Sequence, residues 1–221
     1  MRNISAIALV LLGGFAVMVL EIIGARYLVK NFGGSFYVWT SQIGVILIAL
    51  ALGYVIGGSL ADRFKMAAFL AWLLIPTGVF VFLIPQFADR LVEAIVMRHP
   101  ADEDIPIVWQ KLDPAIGSGL IFLLPCFVLA TLSPYMIRLS ARSLDHVGRV
   151  SGRIYAASTM GSIAGVFLSG YVLIDHLSLS SIFRSTGVLV ATLGGMTLFM
   201  DRWMNTEEAE PAAKTGDAAG D

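Results

Sequence analysis

Apolar residues in this chain come in long blocks, with neither the alternation of strands nor the one-sided stripe of a surface helix. Near 4–29, 38–61, 67–85, 115–139, 150–174 and 181–200 the chain runs on with almost no charge. Each block has the roughly 20 residues that a helix needs to cross about 30 Å of hydrocarbon. The second stops at Asp62-Arg63-Phe64-Lys65, whose charges are costly at membrane depth. The pattern predicts an all-α polytopic membrane protein of six transmembrane helices. The first block is too long for a secretory signal and lacks a small-residue cleavage site. The stretch 86–113 is polar, with Pro100, Pro106 and an acidic run at Asp102-Glu103-Asp104. It reads as extramembrane, its first part, Phe87 to Met97, forming an amphipathic helix on the membrane surface. Residues 201–221, rich in Ala, Glu, Gly and Asp, read as a disordered cytoplasmic tail.

Composition agrees with the pattern. Hydrophobic residues make up 57% and charged ones 14%, with a mean hydropathy of +0.80. A soluble domain carries about 25% charged residues, so a water-soluble globule is excluded and the lipid bilayer is the first partner. A net charge of -1 gives no basic surface for nucleic acid. The single cysteine, Cys126, rules out an internal disulfide or cysteine metal cluster. Lysine and arginine in short loops set orientation. With both termini inside, the cytoplasm holds nine of the 15 basic residues: Arg2, Arg63, Lys65, Arg138, Arg142, Arg149, Arg153, Arg202 and Lys214. The reading is a multi-pass membrane protein with both termini cytoplasmic.

Three spans per half mean that a repeat of the first half in the second must be inverted. An offset of 112 places Leu20 on Leu132, Glu21 on Ser133, Arg26 on Arg138, Gly53 on Gly165 and Gly58 on Gly170, with Asp62 one step from Asp175. Gly53-x3-Gly57 and Gly161-x3-Gly165 are the small-residue faces on which membrane helices approach closely.

Glu21 is the main chemical candidate, because a carboxylate at membrane depth costs several kcal/mol unless it is paired or faces water. It either pairs with Arg26, binds a solute or proton, or snorkels with Arg26 to the interface. Ser133-Pro134 predicts a kink ahead of Arg138, since proline removes one backbone donor. Tyr155, Ser158, Thr159 and Ser162 give the fifth span a polar stripe, which lines a cleft or bonds a neighbouring helix. Tyr37, Trp39 and Trp109 suit an outer aromatic belt, and Trp72 an inner one. His99, His146 and His176 all read as loop residues without a second ligand at metal-binding spacing, so no metal is expected. No nucleophile elbow, phosphate loop or dinucleotide fingerprint occurs, so no cofactor is expected and the chain does not read as a self-sufficient enzyme.

Four stretches in order carry a resemblance: Leu20-Glu21-Ile22-x3-Arg26 through Trp39-Thr40, Leu52-Gly53-Tyr54-x2-Gly57-Gly58-x-Leu60-Ala61-Asp62-Arg63, Leu132-Ser133-Pro134-x3-Arg138-Leu139, and Val150 through Gly165. Together they resemble the membrane portion of bacterial fused major-facilitator/spermidine synthase proteins. Gly58, Asp62 and Arg63 are also similar to the cytoplasmic loop motif of major facilitators. The resemblance implies half of a major facilitator built from inverted three-helix repeats. Lys30 stands where many members carry proline, and the soluble aminopropyltransferase-like domain of the fused members has no counterpart here. Two functions are then open. One is transport or binding of a small, cationic solute such as a polyamine, with Glu21 as counter-charge, Arg26 and Arg138 as gates, and a homodimer completing the path. The other is a non-catalytic membrane scaffold for a separately encoded aminopropyltransferase-like enzyme.

Overall fold

The computed structural model describes residues 2–100, 105–141 and 147–216, with side chains described for 4–100, 105–141 and 147–200. It is all-helical over these residues, and six helices are long and apolar enough to cross a membrane. We number them α1 (Arg2–Phe32), α2 (Phe36–Phe64), α3 (Phe69–Val96), α4 (Ile107–Ser140), α5 (Val147–His176) and α6 (Leu179–Gly216). Gly33, at φ 81°, ends α1 with its N–H on the Val29 carbonyl. Lys65, at φ 51°, ends α2 in the same left-handed region.

Three boundaries differ from the sequence reading, the first being that α4 starts at Ile107, eight residues before the expected 115, and takes in 107–113 of the stretch read as extramembrane. α3 runs through Pro76 and Pro85 to Val96, so Phe87 to Val96 extends the third helix and is not a separate one. The buried stripe Val81, Ile84, Ala88, Val92 and Ile95 crosses Pro85 unbroken, and packing of this kind lets a membrane helix carry a proline. Of the expected disordered tail, 201–216 continue α6, while 217–221 lie outside the described residues. Ala, Glu and Lys give no core but favour helix strongly.

The core lies along α1, where Leu9, Leu20, Ile23 and Leu28 are fully buried, and continues through Ile46, Leu74, Phe122, Tyr135 and Phe183. Large apolar side chains such as Leu47, Val55, Phe82, Phe167 and Tyr171 are exposed, which suits a surface solvated by lipid tails.

Helix pairing follows the repeat. The closest partners are α1 with α5, α2 with α4, and α3 with α6. This pattern is unchanged when the halves are exchanged. The glycines show it at atomic detail. A Cβ on Gly53 would meet the Phe127 carbonyl oxygen and the Ala130 Cβ; on Gly165 it would meet the Phe15 carbonyl oxygen and the Met18 Cβ. Phe15 and Phe127, Met18 and Ala130, and Gly53 and Gly165 are each 112 apart. One contact is thus made twice, once by each half. Between the third helices of the halves, Gly78 and Gly187 pack directly on each other.

Two wide turns interrupt regular winding, Gly119–Leu123 in α4 and Ser169–Leu173 in α5. Each is a π turn, which accommodates one extra residue in an α-helix. The second resolves the one-step mismatch in the repeat. Beyond it the offset becomes 113, and Asp62-Arg63 falls on Asp175-His176.

Candidate functional site

α1, α2, α4 and α5 line a small, partly open cavity of about 50 Å³, bordered in part by Gly14, Met18, Tyr54, Ser133, Ser158 and Ser162. Val17 and Leu129, Met18 and Ala130, and Leu50 and Ser162 all line it and are repeat-related pairs. The cavity therefore sits where the two halves meet. Ser162 donates to the Gly14 carbonyl at 3.4 Å, across the close α1–α5 contact.

Glu21 lies on the face of α1 that carries Gly14, Val17 and Met18, one helical turn beyond the cavity, and is half-buried. Its repeat counterpart is Ser133, so the carboxylate occurs in one half alone. Among the described residues, no ion pair or hydrogen bond reaches Glu21. The expected partner Arg26 is exposed and no ion pair joins it to Glu21. Five residues on, it leaves the helix on a different face.

Pro134 leaves the Ala130 carbonyl without its usual helical donor. α4 is interrupted three residues earlier, at Thr131, whose hydroxyl bonds the Val128 carbonyl at 2.7 Å. The break brings buried Ser133 to the cavity. Arg138 then projects from the end of α4 onto Asp62, Nε to Oδ1 at 2.5 Å. Beside this ion pair, the buried Tyr135 donates its hydroxyl to the Met66 carbonyl at 2.7 Å. Arg63 turns instead over the Phe64 ring, 5.5 Å from its centroid, and among the described residues no atom of another helix lies within 4 Å of where a Cβ on Gly58 would stand. Of the α5 stripe, Ser158 and Ser162 reach the cavity, whereas Tyr155 is 52% exposed and Thr159 lies on the outer face.

At the opposite end of the bundle the fold assembles a cluster that sequence reasoning missed. Asp113 of α4 is buried; one carboxylate oxygen takes an ion pair from Arg98 and the other a 2.7 Å contact from His99 Nε2. Arg98 also lies over Trp109, 4.2 Å from its centroid, as Lys111 lies over Tyr37. His99 sits in the turn after α3, close in space but 14 residues from its partner. The one available signal was an aspartate at the threshold of an apolar block. His176, expected in a loop, closes α5 with Nδ1 against the Val172 carbonyl. His146 and residues 101–104 lie outside the described residues.

Asp89 ties α1 to α3 at this end, accepting from the Tyr27 hydroxyl at 2.6 Å with Lys30 at 3.9 Å. Deeper, Ser118 donates to Gln42 Oε1 at 2.6 Å, both side chains fully buried, just before the π turn of α4. Comparison with protein-family models, curated proteins and solved structures finds no match.

Proposed function

We propose that this protein is the membrane core of a carrier for a small cationic solute, bound between two inverted three-helix halves with Glu21 as its counter-charge. The observation that carries this reading is a carboxylate without a partner among the described residues, one helical turn from a hydroxyl-lined cavity, where the two repeats meet. Keeping such a charge at membrane depth costs several kcal/mol, and an incoming cation recovers that cost. The resemblance to the membrane part of spermidine synthase-like proteins makes polyamines the first class to try, in a bacterial inner membrane with both termini cytoplasmic. A cavity of about 50 Å³ has room for a few waters, each needing at least roughly 10–15 Å³, and is too small for an extended polyamine. The halves must therefore separate on one side to admit a solute.

The test is uptake of labelled spermidine by the full chain in proteoliposomes. Glu21→Gln keeps the size and hydrogen-bonding capacity of the side chain and removes its charge, so the variant should remain folded and lose at least tenfold in uptake, the loss of about 1.4 kcal/mol of differential binding. Unchanged uptake by the folded variant would remove Glu21 from the site. Failure of the wild-type chain to move spermidine, together with its copurification with an aminopropyltransferase-like enzyme, would replace the carrier with a scaffold.

A further inference from the structure

The two halves pair their helices in the same pattern, and one ion pair between them has a repeat-related counterpart that is not formed; that counterpart marks a second gate. Asp62 on α2 and Arg138 on α4 are joined. Exchanging the halves turns this pair into Asp175 on α5 and Arg26 on α1, once the extra residue of the Ser169–Leu173 turn is counted. Arg26 and Asp175 are both exposed, and no ion pair within 4.0 Å joins them among the described residues. They do stand at the same height. Gly161 packs on Leu11 and Gly165 on Phe15, so α1 and α5 run side by side in a register that brings Arg26 level with the Asp175-His176 end of α5.

We propose that Arg26 and Asp175 close the end of the bundle opposite Asp62–Arg138, and that the two ion pairs form alternately. The inference rests on the carrier reading and assigns a role to Asp175. In this structure the Asp62–Arg138 pair is formed and Arg26–Asp175 is not, while Arg98 and His99 on Asp113 tie the halves at the opposite end. The Gly53 and Gly165 contacts are made by repeat-related residues, so a conformation in which each half adopts the arrangement of the other opens Asp62–Arg138 and joins Arg26 to Asp175. Inverted repeats supply this second state without any new packing surface. The π turn is what makes it chemically symmetric: without the extra residue, Ile174 would occupy the position equivalent to Asp62.

Cross-linking tests the exchange without a solute. In the full chain in lipid nanodiscs, Lys30→Cys and Leu177→Cys place two thiols near the Arg26–Asp175 end, and the buried Cys126 is shielded from reagent. A short bifunctional thiol reagent then reads how often that end closes. Adding Asp62→Asn should raise the cross-linked fraction about two- to fivefold, the population shift expected from losing one exposed ion pair. Adding Arg26→Gln or Asp175→Asn as well should abolish the rise, while Arg26→Asp with Asp175→Arg should restore it. Equal yields with and without Asp62→Asn would overturn the inference, as would a rise that survives Asp175→Asn in a monodisperse protein. Exchange of cross-links in a chain that moves no solute would retain the paired gates and discard the carrier; uptake without exchange would do the reverse.

Discussion

Glu21 and Asp113 are carboxylates withdrawn from water in opposite ways. Asp113 has both oxygens occupied by cationic or donor groups, whereas Glu21 has no such partner among the described residues. Their neutral variants should therefore diverge. Asp113→Asn strands Arg98 and His99, and because the Arg98 side chain is 37% exposed the loss should fall below the roughly 3–5 kcal/mol of a fully buried pair, at about 1–3 kcal/mol. Thermal unfolding in detergent would show it as a lower Tm. Glu21→Gln should leave Tm unchanged or raise it, because it removes a charge that nothing compensates; a fall as large as that of Asp113→Asn would reveal a structural partner. Glu21 was legible in the sequence because it interrupts an apolar block. Its solitude was not, since Arg26 follows closely in sequence and only the turn of α1 separates them. Asp113 escaped notice for the converse reason: its partners lie across a turn, within a stretch whose polarity made one more charge unremarkable.

At the scale of helices, block length and glycine spacing fixed most of what the fold uses. Gly53, Gly57, Gly161 and Gly165 all lie at backbone-to-backbone contacts, as their spacing implied. Side chains there should be punished in proportion to what they meet. Gly161→Ala would drive a methyl into the Leu11 carbonyl, whereas Gly170 has open space around it. Overpacking of this kind costs about 1–3 kcal/mol or more. We expect Gly161→Ala to lower Tm by several degrees and Gly170→Ala to leave it within error; equal behaviour would mean that α1 and α5 are not in close contact. The ends of helices were less legible. The third apolar block ended at 85, yet burial on both sides of Pro85 carries α3 onward. The π turns leave no mark in composition, and a single extra residue shows only as a misalignment between repeats.

Over the whole molecule, the inverted architecture was visible in a few repeat-related positions, but its meaning became plain only when Gly53 and Gly165 proved to touch equivalent partners. The site was half legible for the same reason: Ser133 and Ser158 converge on the cavity, while Tyr155 and Thr159, on the same sequence stripe, turn away from it. Each half carries both members of that contact, the glycine of its second helix and the phenylalanine socket of its first. Such a surface is self-complementary, the defining property of an isologous interface. A fragment ending after α3 thus carries both sides of this contact and can offer them to a second, inverted copy of itself. Expressed alone, it should insert in both directions and assemble as an antiparallel pair, a single-chain architecture rebuilt from one half.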